Sequence, residues 1–312
     1  MFFANDALDW ESDGRNWPNR TASRFVMADR VRFHVQVAGR GPVLLLLHGT
    51  GASTHSWRNV FPLLCDSFTV IVPDLPGHGF SSMPALETVS PGGYARLIGA
   101  LLRELGLAPC LIAGHSAGAA IAVEMAMAGQ ADPHGVVSFN GAFVPMGGAG
   151  DQFFQPLARM LSLNPLMPKL FAWRAGSRRV VKGLIEGTGS HLDDEGLDYY
   201  QTLMTSPAHC SAALQMMARW HLHDLVDRMV AGLHCPLQLV TGERDKAIPP
   251  DDARTIASRL PGAEHVEMAD AGHLAHEEHP DQAARIITDA WDRWSGRSAE
   301  PRQRRIPEGL AC

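Results

Sequence analysis

Nothing in this chain is apolar for long enough to cross a bilayer. The longest clean apolar run beside an expected strand is Val43–Leu47, whereas a membrane helix takes about 20 such residues. The first residues, Met-Phe-Phe-Ala-Asn-Asp, lack both the cationic lead and the apolar core of a secretory signal. Cysteine pairs are missing as well. Cys65, Cys110, Cys210, Cys235 and Cys312 are odd in number and never spaced C-x-x-C, which suits free thiols in a reducing cytoplasm. Positive charge is in deficit, with 27 basic against 33 acidic residues and a formal charge of −6, so nucleic acid is not expected as the main partner. The glycine-rich stretch His48-Gly-Thr-Gly-Ala-Ser53 has neither the lysine of G-x-x-x-x-G-K-[ST] nor the spacing of G-x-G-x-x-G. The cluster His273, His276, Glu277, Glu278 and His279 does not follow H-E-x-x-H. No metal, nucleotide or flavin cofactor is expected.

What is present centres on Cys110-Leu-Ile-Ala-Gly-His-Ser-Ala-Gly118. An apolar run stops at Gly114, and a small-residue helical stretch over 119–128 begins at once. That is the strand–turn–helix context of a G-x-S-x-G nucleophile, in which a strained turn pushes the Ser116 hydroxyl out at the sheet's end. The residues two before and two after the serine must be small, and Gly114 and Gly118 are. With 30 glycines in 312 residues the five-residue match is weak alone, so the serine's partners decide its meaning.

With 46% hydrophobic residues the chain can bury a full core. Residues 24–28 and 31–37 alternate around Asp29-Arg30 as an antiparallel hairpin. Buried strands are expected over 43–47, 69–72, 110–113 and 135–139, with helices over 54–64, 92–105 and from the serine to about 128. Strand–helix alternation returns after about 222, with strands over 237–241 and 264–268 and helices over 250–260 and 280–294. Between them, 142–222 is helical and rich in Met and aromatics. The pattern predicts an open, mostly parallel α/β sheet with helices on both faces and a helical lid inserted after the sixth strand. The expected layout is an N-terminal arm over 1–22 anchored by Trp10 and Trp17, a core over 23–141 and 223–295, the lid over 142–222, and a disordered basic tail over 296–312.

Serine needs a general base, and the base an orienting carboxylate. Gly242-Glu-Arg-Asp-Lys246 follows one strand and places Asp245 just past its end. Asp270-Ala-Gly-His-Leu-Ala-His276 follows the next and places His273 likewise. Glu243 and Asp270 are the rival acids: Glu243 lies closer to the strand, and Asp270 is too near His273 in sequence to reach its far ring nitrogen. Asn140, after the strand ending near Phe139, cannot supply a carboxylate. The backbone N–H of Ala117, with that of Thr50 or Gly51, is expected to receive the oxyanion.

The chain resembles the α/β-hydrolase superfamily over roughly residues 23–295. The resemblance rests on His48-Gly49, Asp74-Leu-Pro-Gly-His-Gly-Phe-Ser81, the turn at Ser116, Gly242-Glu-Arg-Asp245 and Gly272-His273. A serine rather than an aspartate in that turn implies ester, thioester, amide or activated C–C chemistry and speaks against the dehalogenase and epoxide-hydrolase branches. Trp17-Pro-Asn-Arg20, His34-Val-Gln36, His48 through Trp57, Gly114 through Ala120, Thr188-Gly-Ser190, Met216-Met-Ala-Arg-Trp220 and Gly272 through Glu278 look like the BchO-type magnesium-chelatase accessory proteins of bacteriochlorophyll synthesis.

Ser116, His273 and Asp245 are therefore expected as an intact triad acting on an apolar acyl or tetrapyrrole-like compound. Chelatase subunits are the implied protein partners. The place would be the cytoplasm, with peripheral contact to the photosynthetic membrane. His48, His115, Phe143, Phe154, Met216 and Trp220 are candidate pocket residues. The basic cluster Arg174, Arg178, Arg179 and Lys182 reads as a solvated helix face; the sharper alternative pairs one or two of them with propionate carboxylates.

Overall fold

The computed structural model describes residues 6–145, 164 and 166–296. Its strands are β1 (Ser23–Ala28), β2 (Val31–Gly39), β3 (Val43–Leu47), β4 (Thr69–Pro73), β5 (Leu111–His115), β6 (Val136–Phe139), β7 (Leu237–Gly242) and β8 (Ala263–Met268). They form one eight-stranded sheet in the order β1-β2-β4-β3-β5-β6-β7-β8. β2 pairs antiparallel with β1 and β4, and every other pairing is parallel. The hairpin turn holds Asp29 and Arg30 at φ 44° and 66°, the left-handed values that a two-residue turn matching the strand twist requires.

The central strand β3 is apolar throughout because helices cover both faces of the sheet. Along β3 the period of two sends Leu45 and Leu47 toward the helices Pro91–Leu105 and Ala117–Met127, and Leu44 and Leu46 toward Trp57 and the helix Pro280–Trp294. All four leucines are fully buried, each contributing about 2 kcal/mol of transfer free energy. The helix Pro280–Trp294 answers with a buried stripe of Ala283, Ile287, Ala290 and Trp291, spaced for one helical face. The helix expected over 54–64 is broken into a 3-10 turn, Thr54–Trp57, and a short helix, Val60–Leu64. Pro62 has no N–H to offer the Arg58 carbonyl, which instead accepts from the Asn19 side chain at 3.1 Å.

Between β6 and β7 the described residues form only helices: Met167–Ala175, Arg178–Gly187, Asp194–Met204, Pro207–Arg219 and Leu225–Gly232. The N-terminal segment runs between core and insertion. Trp17 is buried with Phe80 and Leu203, and its Nε1–H donates to Thr54 Oγ1 at 2.9 Å. The Asp6 carbonyl accepts from Ser206 Oγ and the Ala208 N–H. The tail expected over 296–312 lies outside the described residues except for Gly296.

Candidate active site

β5 ends at His115, and the helix Ala117–Met127 starts one residue later. Ser116 joins them at φ 51°, ψ −116°, a conformation that L-residues rarely hold. Contacts on both sides enforce it. A Cβ on Gly114 would sit 2.5 Å from the Ala119 N and the Gly118 backbone, and one on Gly118 would strike the Leu47 and His48 carbonyls. The Ser116 N–H donates to the Phe139 carbonyl, and its own carbonyl accepts from Ala119 and Ala142. Ala117, as the first helical residue, has an N–H without an intrahelical acceptor.

The loops after β7 and β8 meet. His273 Nδ1–H donates to Asp245 Oδ2 at 2.8 Å, which leaves Nε2 as the ring nitrogen outside this bond. The other carboxylate oxygen, Oδ1, accepts from the N–H groups of Ala247 at 2.7 Å and Ile248 at 2.9 Å. The two rival acids face away from this pair. Glu243 accepts from the Asp270 N–H at 3.1 Å, and the Asp270 side chain is 83% exposed beside Arg244.

Three supports escaped the sequence reading. Asn140, at the end of β6 with φ 48°, donates its amide to Asp245 Oδ2 and weakly to the Gly272 carbonyl at 3.4 Å. The turn Thr188-Gly-Ser190 of the insertion pins both loops: the Thr188 carbonyl accepts from the Lys246 N–H, and Ser190 Oγ accepts from the Leu274 N–H at 2.8 Å. Gly189, at φ 88°, and Gly272 let these backbones touch, since a Cβ on either would overlap the opposite chain. Finally, buried Glu277 gathers Arg58 Nη1 at 2.5 Å, Tyr200 Oη at 2.7 Å and Ser56 Oγ at 3.0 Å, tying the insertion to the helix beside His273. Asn140 was visible as a polar residue at a strand end, and Thr188-Gly-Ser190 as a motif without a role. Only the fold sets them against Asp245 and Leu274.

The loop after β3 lies over the serine, so that a Cβ on Gly49 would be 3.0 Å from Ser116 Cβ and 2.8 Å from His115 Nδ1. Among the described residues neither the Thr50 nor the Gly51 N–H donates to a backbone acceptor. Thr50 Oγ1 donates to the Met216 sulfur at 2.9 Å. The Gly51 carbonyl accepts from His209 Nε2–H at 3.0 Å. His48 is wholly buried: Nδ1–H donates to the Gly49 carbonyl, and Nε2 accepts from the Leu75 N–H at 2.8 Å. His115 is buried too, donating from Nε2 to the His273 carbonyl at 2.9 Å and packing between His273 and His276. His48 spends both ring nitrogens on these loops, whereas the buried Nδ1 of His115 has no hydrogen-bond partner among the described residues. Phe143, Met216 and Trp220 are buried in the main apolar cluster, and Phe154 lies outside the described residues. In the basic cluster, Arg178 is held by Asp194 and Asp198, and Lys182 pairs with Glu186.

Burial keeps these supporting rings neutral. It lowers His48 and His209 to about 4, and holds His55, His78, His115 and His276 well below the ordinary imidazole value. For Asp74, burial pushes the carboxyl up, but His34, His48 and the Phe80 N–H outweigh it and bring it down to about 2. Burial raises Glu277 despite Arg58, Tyr200 and Ser56. Among the described residues no group of three or more His, Cys, Asp or Glu side chains is arranged to hold a metal ion. No described helix is long and apolar enough to cross a membrane.

A strand-end serine in a strained turn and a carboxylate-held imidazole thus lie on loops at one end of the sheet. Comparison with known proteins bears on the fold. The chain is 36% identical over 276 residues to the magnesium-chelatase 30 kDa subunit of Rhodobacter capsulatus, covering 88% of this chain and 96% of that one. It is 27% identical over 291 residues to haloalkane dehalogenase 2 of Mycobacterium tuberculosis, covering 90% of this chain and 98% of the other. Among solved structures, an alpha/beta hydrolase fold protein from Burkholderia ambifaria superimposes with a TM-score of 0.73 at 25% identity, over 86% of this chain and 97% of that one. The family model described as "Alpha/beta hydrolase family" matches residues 44–286. Sheet order, elbow and sequence match together assign this chain to the alpha/beta hydrolase family.

Proposed function

We propose that the protein is a serine hydrolase for an ester or related acyl compound, working as an accessory to magnesium chelation in bacteriochlorophyll synthesis. The observation that carries the catalytic half is the His273–Asp245 hydrogen bond at the same sheet end as the strained Ser116. In this reading Ser116 Oγ attacks the substrate carbonyl while His273 Nε2 takes its proton. The oxyanion is received by the N–H of Ala117 and that of Thr50 or Gly51, each such donor being worth about 3 kcal/mol. His273 returns the proton to the leaving group, and the acyl enzyme forms. A water that gives its proton to His273 then attacks the acyl carbon, and Ser116 Oγ leaves with that proton. Asp245 holds the ring in the productive tautomer and offsets the charge of the imidazolium.

The pathway half rests on the 36% identity to the Rhodobacter capsulatus protein named as a magnesium-chelatase subunit. The same name supports a second reading, in which the chain binds a porphyrin or a chelatase subunit without turnover. A Ser116→Ala variant in a strain lacking this protein separates the two. Loss of pigment with a folded variant supports the hydrolase, and full rescue supports the binding protein. Labelling of the wild-type chain by a fluorophosphonate, absent in Ser116→Ala, reports directly whether the serine is activated.

A further inference from the structure

The helix Met167–Ala175 is turned the wrong way round for a soluble surface. Its buried residues are Pro168, Ala172 and Ala175, all small, while the large ones face outward. Trp173 is 75% exposed, Leu166 66%, Leu170 45% and Phe171 42%, and Leu184 on the following helix is 53% exposed. Leu166, Leu170 and Trp173 share a stripe at helical spacing. Isolated exposed apolar side chains are ordinary; a contiguous set ending in a tryptophan marks a surface that meets something.

Charge says what. Of the five basic side chains over 166–187, Lys169 pairs with Asp6, Arg178 with Asp194 and Asp198, and Lys182 with Glu186, which leaves Arg174 and Arg179 as the surplus positive charge of this face. Arg174 and Arg179 have no ion-pair partner among the described residues. A second copy of the chain is a poor occupant, because a two-fold contact would bring these cations against their own copies. Exposed Trp and Leu flanked by unpaired Arg is the composition that partitions into the headgroup region of a bilayer carrying anionic lipid.

We propose that the outer face of the helices Met167–Ala175 and Arg178–Gly187 docks on an anionic membrane, with Leu170, Phe171 and Trp173 entering the interface and Arg174 and Arg179 meeting lipid phosphates. The protein then sits on the bilayer through its helical insertion, on lipid that can hold apolar compounds. The inference stands on exposure and charge, and does not require that Ser116 turn over a substrate.

Co-sedimentation of the full chain with vesicles tests it. Vesicles of phosphatidylcholine mixed equally with phosphatidylglycerol are expected to bind it, and those of phosphatidylcholine alone to bind it at least about tenfold less, because each basic residue near such a surface adds roughly a factor of five. Leu170→Glu/Trp173→Glu should lower binding to the mixed vesicles about tenfold or more, and Arg174→Gln/Arg179→Gln should lower it and flatten its salt dependence. Both variants change exposed side chains, and retained circular dichroism confirms their fold. Their fluorophosphonate labelling is expected to match the wild type, which separates this idea from the catalytic one. Equal binding to both vesicle types, or binding unchanged in both variants, overturns the proposal. So does a wild-type dimer that Trp173→Glu dissociates, or a soluble acidic protein that takes the face in preference to lipid.

Discussion

The side-chain amide of Asn140 and the ring of His273 share one oxygen of Asp245, so the end of β6 braces the carboxylate that the loop after β7 presents. A carboxylate oxygen with two donors, and its partner oxygen with two backbone donors, is held in one rotamer. Replacing Asn140 by Ala removes one side-chain hydrogen bond to a charged group. The expected loss is about 1.5–3 kcal/mol in holding Asp245 against His273, read as fluorophosphonate labelling of Ser116 slowed by roughly ten- to hundredfold.

The acid assignment has its own test. Asp245→Asn leaves the shape but inverts the hydrogen-bonding preference of His273, and labelling should fall by about 10³–10⁴. Glu243 accepts from the Asp270 N–H and Asp270 pairs with Arg244, so Glu243→Gln and Asp270→Asn should label within about twofold of wild type. A collapse in either of those variants, with Asp245→Asn unaffected, would move the acid elsewhere.

Glu277 is buried with Arg58, Tyr200 and Ser56 around it, and it joins the insertion to the core. Taking away one partner strands a charge in low dielectric. Glu277→Ala should therefore destabilise the protein by about 3–5 kcal/mol, measured by urea unfolding. Tyr200→Phe, which removes one hydrogen bond and leaves the ion pair, should cost about 1.5–3 kcal/mol.

Stability should fall on mild acidification. His48 and His209 titrate near 4 in the folded chain, below the ordinary value of 6.5, so the unfolded chain binds more protons between those limits. The stabilisation is complete above about pH 6.5 and is lost as pH drops toward 4, with at least about 2 kcal/mol gone by pH 5. Asp74 acts lower, its contribution fading as pH falls from the ordinary 3.8 through about 2. Unfolding free energies measured at pH 7 and pH 5 that coincide would contradict the burial argument for these histidines.

The sequence alone was enough for the sheet and for the candidate residues at its end. Strand identity in β3 and β5 follows from unbroken apolar runs, and the elbow from glycines two residues either side of Ser116, both local signals. Asp245 and His273 could each be named because a polar loop follows a strand, a relation spanning only a few residues. The tertiary structure decided what those residues lean on. Asn140 reaches Asp245 across 105 positions because β6 and β7 end side by side. Ser190 meets Leu274 across 84 because the insertion folds back on the loop after β8. The large side chains of Met167–Ala175 follow a periodicity that reads as core, and only packing shows that the helix buries its alanines and proline instead. Local conformation is set by near neighbours, which the sequence lists in order; the partner of a side chain depends on which strand ends and helices are brought together, and that is settled only when the chain has folded.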